Sequence, residues 1–375
     1  MVSKMNKLTI WFNHWFSSAY HLITLLKENK NFDLHIIGSN KNDFVVYRNV
    51  CDEWYVEPGD KISAEDYINF ALDFCKEHHV DVFFVRRFQK EIVEKIALFD
   101  SIGVKLFAEN NAEALKIIDD KGLTYSYLKE YIPECIPSFK IAHNLNEFIS
   151  SYQELAAQNN RVCYKLTIDE GAASFRVIDN NLTSIDNLLS TPGHKIKLED
   201  ALKIMEQYDF SIPVLLMPFL DGVEVSVDCL KTASGNIIIP RFKTNKRYSE
   251  IYFKKEIIAY CEKIMNIFSF EYPLNVQFKK SGDTYYLLEI NCRMSGGLQL
   301  SCSNEKNNYN HLHSALCGSR LCRSQLPDRI LHSRSQCRNG SQSDRFRQDR
   351  RQCLLCQGCR GERILMALCT GFSRD

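Results

Sequence analysis

Two polar side chains close an otherwise apolar strand in the segment "YYLLEINCRMSGG", residues 285–297. Alternate residues on a strand share one face, so Glu289 and Asn291 point together while Leu288 and Ile290 point towards the core. A hard divalent cation such as Mg²⁺ prefers oxygen ligands, and proteins bind it through one or two carboxylates together with substrate phosphates. This spacing therefore predicts that Glu289 and Asn291 bind a magnesium ion.

A third oxygen ligand is predicted on the preceding strand, "PLNVQFKK" (273–280), where Gln277 is the candidate. A three-residue loop at 281–283 places Gln277 on the face of Glu289. A two-residue loop inverts the pairing, because a slip of one residue turns a strand over. The metal site therefore predicts a loop of odd length.

An arginine and two glycines follow the same strand. Arg293 presents a fork of N–H donors to phosphate oxygens, and Gly296 and Gly297 allow close approach of the backbone to a ligand. A lone Glu-x-Asn pattern is more typical of a strand end exposed to water. The combination favours a metal and phosphate site over that simpler interpretation.

The composition is that of an ordinary globular protein, with 375 residues of which 45% are hydrophobic and 25% charged. This length is enough for two or three domains. No apolar run approaches the roughly 18 residues of a membrane span, and residues 8–26 lack the features of a secretory signal peptide. We therefore expect a cytoplasmic protein.

Apolar strands and amphipathic helices alternate through the first 110 residues, which predicts a parallel sheet covered on both faces. The predicted strands are 8–14, 32–40, 51–58, 80–86 and 104–109, and the predicted helices are 17–30, 63–79 and 88–100. The fold class expected here is α/β.

Beyond residue 110 the strands have mixed spacing and few helices, which predicts an α+β domain with lobes at about 111–212 and 213–306. The predicted helices are 111–131 and 253–268, and the predicted strands are 161–167, 171–179, 213–230, 237–244 and the hairpin 274–291.

Residues 307–375 differ from the rest of the chain: they contain 12 Arg, no Lys, five acidic residues and seven of the 15 cysteines. They show neither strand nor helix periodicity. The abrupt change from Lys to Arg favours a foreign reading frame over a genuine disordered basic tail. Cys353, Cys356 and Cys359 have a spacing that suits zinc, but no fourth ligand lies at a fitting distance.

The segments "NVQF" and "YYLLEINCRMSGG" resemble the metal-binding signature of the ATP-grasp superfamily, in particular carboxylate–amine ligases like the large subunit of carbamoyl-phosphate synthetase. This chain has Cys292 where the family usually has proline. The resemblance implies a Rossmann-like domain at 1–110 followed by a two-lobed ATP-grasp domain at 111–306. The first domain lacks a Gly-x-Gly-x-x-Gly motif, so it is not expected to bind a dinucleotide.

The same resemblance implies which residues bind ATP, Mg²⁺ (or Mn²⁺) and substrate. Two lysines and a small-residue loop would contact the phosphates, and a hinge strand would contact adenine through backbone groups and ribose through a carboxylate. The implied ATP-binding residues are Lys121, Lys165, Gly171, Ala172, Ala173, Ser174, Met217, Phe219 and Glu224. The implied metal ligands are Gln277, Glu289 and Asn291, and the implied substrate or acyl-phosphate contacts are Arg293 and Arg241.

The implied activity is the ATP-dependent joining of a carboxylate to an amine or similar nucleophile through an acyl phosphate. The expected partners are small-molecule substrates. No association with a membrane is expected, and the protein can be either a monomer or a homodimer. One alternative is an ATP-binding protein without turnover, because the chain departs from the family near residue 303. A second, less favoured, is nucleic-acid binding through the Arg-rich tail.

Four further residues of the first domain are candidate substrate contacts: His14, His21, Arg86 and Arg87. The two arginines close a strand that faces the predicted cleft. A structural role is the simpler interpretation of each histidine, and a surface role fits the arginines equally well.

Overall fold

The computed structural model describes residues 6–28, 32–158, 161–183, 185, 193–232, 235–244 and 249–302. The predictions for the 307–375 tail, including its cysteines and nucleic-acid binding, lie outside these residues. No helix in the described ranges is long and apolar enough to cross a membrane.

The first domain is a five-stranded sheet in which all strands are parallel, in the order β3-β2-β1-β4-β5. Its strands are β1 (Asn6–Asn13), β2 (Phe32–Asn40), β3 (Glu53–Val56), β4 (Val82–Phe84) and β5 (Lys105–Phe107). Its helices are α1 (Ala19–Lys27), α2 (Ala64–Glu77), α3 (Gln89–Val93) and α4 (Ile96–Ser101). The predicted α/β class is confirmed, and the carboxyl ends of β1 and β4 lie side by side.

Aromatic side chains fill both faces of this sheet. On one face Trp11 stacks on Phe83, with ring centroids 4.0 Å apart. On the other face Phe12 stacks on Phe84 at 4.4 Å. A strand buried on both faces reads as a continuous apolar run, as β1 and β4 do.

A second five-stranded sheet has the order β6-β10-β7-β8-β9. Its strands are β6 (Lys140–Ala142), β7 (Val162–Leu166), β8 (Arg176–Ile178), β9 (Lys195–Ile196) and β10 (Val214–Pro218). The helices α7 (Leu145–Ala157) and α8 (Leu198–Gln207) contribute to the core beside it. Because β10 pairs with β6 and β7, the chain leaves this lobe after Pro218 and not at residue 212 as predicted.

The third sheet is antiparallel, in the order β13-β12-β11-β14-β15. Its strands are β11 (Glu224–Thr232), β12 (Gly235–Lys243), β13 (Ser249–Ile251), β14 (Leu274–Ser281) and β15 (Thr284–Asn291). Its core is shared with α5 (Ala112–Asp119), α6 (Lys121–Leu128) and α9 (Lys255–Phe268). A short helix α10 (Leu298–Cys302) follows β15.

Two helix predictions need correction. The helix expected over 111–131 is two helices, because Asp120 takes an extended backbone conformation and its carboxylate accepts the N–H of Leu123 as the cap of α6. The helix α7 was not predicted, although Asn144 and Glu147 before an apolar run form a helix-start pattern.

Candidate active site

The hairpin of β14 and β15 carries the three predicted metal ligands on one face, but by a different route from the one predicted. Its turn has two residues, Gly282 and Asp283, because Ser281 pairs with Thr284. The prediction of an odd-length loop is therefore wrong. A β-bulge at Leu288 supplies the extra residue instead, and Gln277 lies directly opposite Glu289.

The carbonyl groups at the bulge are held by side chains of two other elements. The hydroxyl of Tyr125, on α6, lies 2.8 Å from the carbonyl oxygen of Leu287 and 2.9 Å from that of Leu288. Lys165 Nζ also donates to the Leu288 oxygen at 3.4 Å. Because Tyr125 is fully buried, the hydroxyl group that holds the two carbonyls of the bulge is itself fixed in position.

Two of the three ligand candidates are hydrogen-bonded to each other, and one of these two also to Arg293. Asn291 Nδ2 donates to Glu289 Oε1 at 3.2 Å, and Asn291 Oδ1 accepts from Arg293 Nη2 at 2.9 Å. Gln277 Nε2 donates to Asn275 at 3.4 Å. One carboxylate and two amides thus share a small region, which is a set of oxygen donors suited to a cation that also binds phosphate.

Lys121 is the first residue of α6 and is buried, with 8% of its surface exposed. Its ammonium donates to the backbone oxygen of Asp169 at 2.8 Å, and its own N–H donates to the oxygen of Thr167. The capping residue Asp120 also accepts the Thr167 hydroxyl at 2.9 Å. The break between α5 and α6 therefore fixes Lys121 against the second sheet.

Lys165 projects from β7 into the same region. Burial and, to a smaller extent, the nearby charge of Lys121 lower the pKa of Lys165 to about 8, while the carboxylates of Glu289 and Asp169 oppose them. Two ammonium groups so close together favour an anion with several oxygens, such as a phosphate chain.

The predicted phosphate-covering loop divides into two parts. Gly171 and Ala172 line the cleft and both have positive φ, 63° and 58°. Ser174 is fixed at the base of the loop, because its hydroxyl and N–H both donate to Asp169 and its oxygen accepts the N–H of Leu166. Ala173 is exposed and is not among the residues that line the cleft.

Met217, near the end of β10, and Phe219, just after it, line the cleft, as predicted for the adenine-binding hinge. The Phe219 N–H donates to the carbonyl of Arg161 at 2.6 Å and is thus engaged within the lobe, and the backbone contact of Phe219 with adenine stays a prediction. The ring of Phe219 carries the guanidinium of Arg161 at 4.1 Å. Glu224 lines the cleft and forms an ion pair with Lys243.

Arg293 lies at the junction of the first domain and the hairpin. Its guanidinium lies 4.7 Å from the ring centre of Phe16, and Arg86 lies 4.9 Å from the same ring. Burial and, to a smaller extent, the charge of Arg86 lower the pKa of Arg293 to about 10. Neither effect neutralises the arginine at physiological pH, so the cleft holds two adjacent guanidinium cations.

Arg241 is placed away from the cleft lining, in contrast to its predicted contact with substrate. It is 3% exposed, and its Nε donates to Asp228 at 3.0 Å while Nη2 donates to Ser295 at 2.8 Å. A Cβ atom at Gly297 would lie 2.5 Å from Arg241 Nη1. Arg241 therefore holds the loop after Arg293 in place, and Gly297 is required by this close approach.

Of the four candidate substrate contacts in the first domain, three line the cleft and one does not. His14, Arg86 and Arg87 line the cleft at the carboxyl ends of β1 and β4. Arg87 pairs with the buried Glu57 at 3.4 Å and donates to the carbonyl of Pro58 at 2.6 Å. His21 is exposed and does not line the cleft.

These elements enclose one cleft of about 1380 Å³ between the first domain and the two other sheets. Its volume exceeds the roughly 300–1,000 Å³ typical of a single small-ligand pocket. Its lining includes most predicted residues, namely Lys121, Lys165, Gly171, Ala172, Met217, Phe219, Glu224, Gln277, Glu289, Asn291 and Arg293. The cleft therefore has space for a nucleotide and a second molecule.

Two cleft residues were missed from the sequence. The ring of Phe16 contacts the guanidinium groups of two arginines, and this contact exists only in the folded chain. Lys279 lines the cleft beside Glu224, its cross-strand partner. Because it lies two residues after Gln277 on the same strand, strand alternation places it on the face of Gln277, so the sequence could have predicted it.

Comparisons with known proteins show what this chain is similar to. A family model described as ATP-grasp in the biosynthetic pathway with Ter operon matches residues 211–328. Phosphoribosylamine–glycine ligases of two Helicobacter pylori strains are 23% and 22% identical over 243 residues, which are 60% of this chain and 50% of those proteins. The chain thus spans about half the length of the curated relatives that it matches.

Solved structures match over more of the chain. The ADP complex of N5-carboxyaminoimidazole ribonucleotide synthetase has a TM-score of 0.56 at 13% identity, over 78% of this chain and 72% of that one. Biotin carboxylase of Campylobacter jejuni has a TM-score of 0.55 at 12% identity, over 79% of this chain and 68% of that one. The L-amino acid ligase of Bacillus licheniformis has a TM-score of 0.54 at 14% identity, over 83% of this chain and 74% of that one.

The chain has the ATP-grasp fold. The resemblance drawn from the hairpin motif is therefore confirmed, as is the mixed α/β and α+β architecture. At these identities the solved structures establish the fold alone.

Proposed function

We propose that this chain is an ATP- and Mg²⁺-dependent ligase that joins a carboxylate to an amine, or to a similar nucleophile, through an acyl phosphate. The observation that carries the proposal is the bulge at Leu288, which brings Gln277, Glu289 and Asn291 to one face beside two lysines and Arg293. The ligase and ADP-bound proteins with this fold support it.

The residues present fit a magnesium ion bound together with nucleotide phosphates. The ligand set has one carboxylate, Glu289, and two amide oxygens, so it leaves positions for phosphate oxygens and water. When bound, the ion would supply charge neutralisation for the transferring phosphoryl group. The Arg293 hydrogen bond to Asn291 positions that amide within the set.

The protein side chains would act chiefly by position and charge. Lys121 and Lys165 would bind phosphate oxygens of ATP, and Gly171 and Ala172 would cover them. A carboxylate oxygen of the substrate would attack the γ-phosphorus, and ADP would leave. The nucleophile would then attack the acyl carbon, lose a proton and release phosphate, while Arg293 stabilises the anionic groups.

The test uses the purified full chain with ATP, Mg²⁺, pooled amino acids and hydroxylamine, with ADP and hydroxamate measured together. Hydroxylamine traps an acyl phosphate whatever the natural nucleophile is. We expect ADP formation that depends on a carboxylate, with hydroxamate as the product. In Glu289→Gln we expect a loss of about 100-fold, because the single carboxylate of the ligand set is removed.

Glu262→Gln is the matched control, since Glu262 is exposed on α9 and does not line the cleft. It should retain full activity. Nucleotide binding with no carboxylate-dependent ADP formation would contradict the ligase and support the ATP-binding alternative. Equal activity of Glu289→Gln and Glu262→Gln would contradict the metal site.

A further inference from the structure

The carboxyl edge of the first sheet presents His14 and Arg86 to the cleft. Both are fixed by backbone hydrogen bonds: the His14 N–H donates to the oxygen of Ser39 at 2.8 Å, and the Arg86 N–H donates to Asn13 Oδ1 at 2.6 Å. His14 has a positive φ of 51°. Strain of this kind is often retained where it positions a side chain for a ligand.

The charges around this edge are only partly balanced. Lys41 is paired with Asp60 at 2.5 Å. Arg87 is paired with the buried Glu57, as described above. Arg86 has one carboxylate neighbour, Glu170, at 3.6 Å, and the Glu170 side chain is 86% exposed. Glu170 is thus a distant partner screened by water, so a ligand can compete with it for the Arg86 side chain, which is only 17% exposed.

Two polar atoms at this edge lack a hydrogen-bond partner within the part of the chain that the structure describes. They are Nδ1 of His14 and Nε of Arg86, and both are buried. Burial lowers the pKa of His14, and the nearby Arg87, Lys41 and Arg86 lower it further, whereas Glu57 opposes them. His14 is therefore neutral at pH 7, and a polar ligand would satisfy both atoms.

The ring of Phe16 connects this edge to the proposed reaction site. It contacts the guanidinium of Arg86 and that of Arg293, each within 5 Å of its centre. An anionic group at Arg86 would consequently lie beside, but apart from, a carboxylate held at Arg293. The cleft volume leaves room for such a substrate next to a nucleotide.

We propose that His14 and Arg86 bind a second anionic group of the substrate, a carboxylate or a phosphate, in addition to the carboxylate that is phosphorylated. The role of this group rests on the proposed ligase function, whereas its binding does not require turnover. The substrate class is thus a small molecule with two anionic groups, held between the first domain and the hairpin.

The experiment measures the binding of inorganic phosphate and, separately, of succinate to the full chain by calorimetry. Saturating Mg²⁺ and a non-hydrolysable ATP analogue fill the nucleotide-phosphate site beforehand, so that the probes report on the remaining anion site. We expect at least one probe to bind, and Arg86→Gln to weaken it about 10-fold or more, as expected for losing a charged hydrogen-bond donor. Which probe binds distinguishes a phosphate from a carboxylate group.

Arg48→Gln is the matched control. Arg48 lies in the same domain, contacts the Trp54 ring and pairs with Asp43, but it does not line the cleft. It should leave the affinity for the probe unchanged. Should Arg86→Gln fail to fold, Arg86→Lys is expected to weaken binding less, since it keeps the charge without the fork.

Neither probe binding to the wild-type chain, or equal binding to wild type and the Arg86 variant, would overturn the proposal. Failure of the nucleotide analogue to bind would contradict the proposed function instead. In that case the anion titration is made without nucleotide, and the comparison of Arg86→Gln with Arg48→Gln still decides the anion site.

Discussion

At the scale of single residues, Lys165 links the electrostatics of the cleft to a measurable pH dependence. Its pKa of about 8 arises from burial and from the charge of Lys121. Nucleotide phosphates bind best to the protonated form, so affinity should be full at pH 7 and fall as the pH rises through 8. The sign follows because Lys165 loses its proton in the free protein above its pKa. Binding of the nucleotide then requires the lysine to take up a proton, which weakens the binding.

The measurement is the dissociation constant of a Mg²⁺–ATP analogue between about pH 6.5 and 9.5, and this constant should rise by up to about tenfold per pH unit above the lysine's pKa. Lys165→Arg keeps its charge throughout this range and should give a nearly flat profile. The same slope in wild type and Lys165→Arg would show that another group titrates.

Individual residue types carried much of the site prediction. Glu289 and Asn291 share a face because strand alternation is local and readable from sequence, and Gln277 joins them through the bulge. The bulge that makes this possible was not predicted, because it depends on Tyr125 and Lys165, which come from distant elements. Arg241 was misplaced for the same reason: its partner Asp228 is fixed only by strand pairing.

At the scale of elements, the break between α5 and α6 determines where Lys121 points. Asp120→Ala removes the cap of α6 and the contact with Thr167. We expect a loss of about 1 kcal/mol in the free energy of unfolding. We also expect weaker binding of the ATP analogue, because Lys121 loses its fixed position.

Asn144→Ala provides the comparison for this prediction. Asn144 caps α7 by accepting the N–H of Glu147 at 3.0 Å, away from the cleft lining. Its loss should cost a similar amount of stability, measured by urea unfolding, with unchanged nucleotide affinity. Equal effects of both variants on binding would mean that the α6 cap acts through general stability alone.

The elements themselves were predictable to differing degrees. Strand β2 was predicted with its observed bounds, because a buried apolar run ended by a turn is an unambiguous pattern. The helices α5 and α6 were merged, since a break at Asp120 leaves the apolar periodicity almost intact. The end of the first lobe, predicted at residue 212, was misplaced because pairing of β10 with β7 is a long-range choice.

At the scale of the whole molecule, Glu109 connects the first domain to the third sheet. It is 2% exposed, and its carboxylate accepts four backbone N–H groups: those of Asn110 and Asn111 on one side and Glu271 and Tyr272 on the other. Glu109→Gln replaces one acceptor oxygen with an amide donor. It should destabilise this connection by about 1–3 kcal/mol.

The chain offers a direct readout of that connection. All three tryptophans, Trp11, Trp15 and Trp54, lie in the first domain, whereas far-ultraviolet circular dichroism reports on every element. We expect the two urea transitions to coincide in the wild type and to separate in Glu109→Gln, with fluorescence changing first. Glu113→Gln, which removes only a surface ion pair, should behave as wild type. Coincident transitions in both variants would show that other contacts hold the domains together.

The bulge of β15 sets a rule for how this hairpin can change in length. With the turn kept at two residues, adding one residue at the Gly282–Asp283 tip would shift the pairing by one and turn Gln277 away from Glu289, unless the irregularity at Leu288 disappeared in the same step. Adding two would leave the cross-strand partners unchanged. Insertions that keep the two-residue turn should therefore come in even numbers, and such a hairpin one residue longer should have a straight second strand.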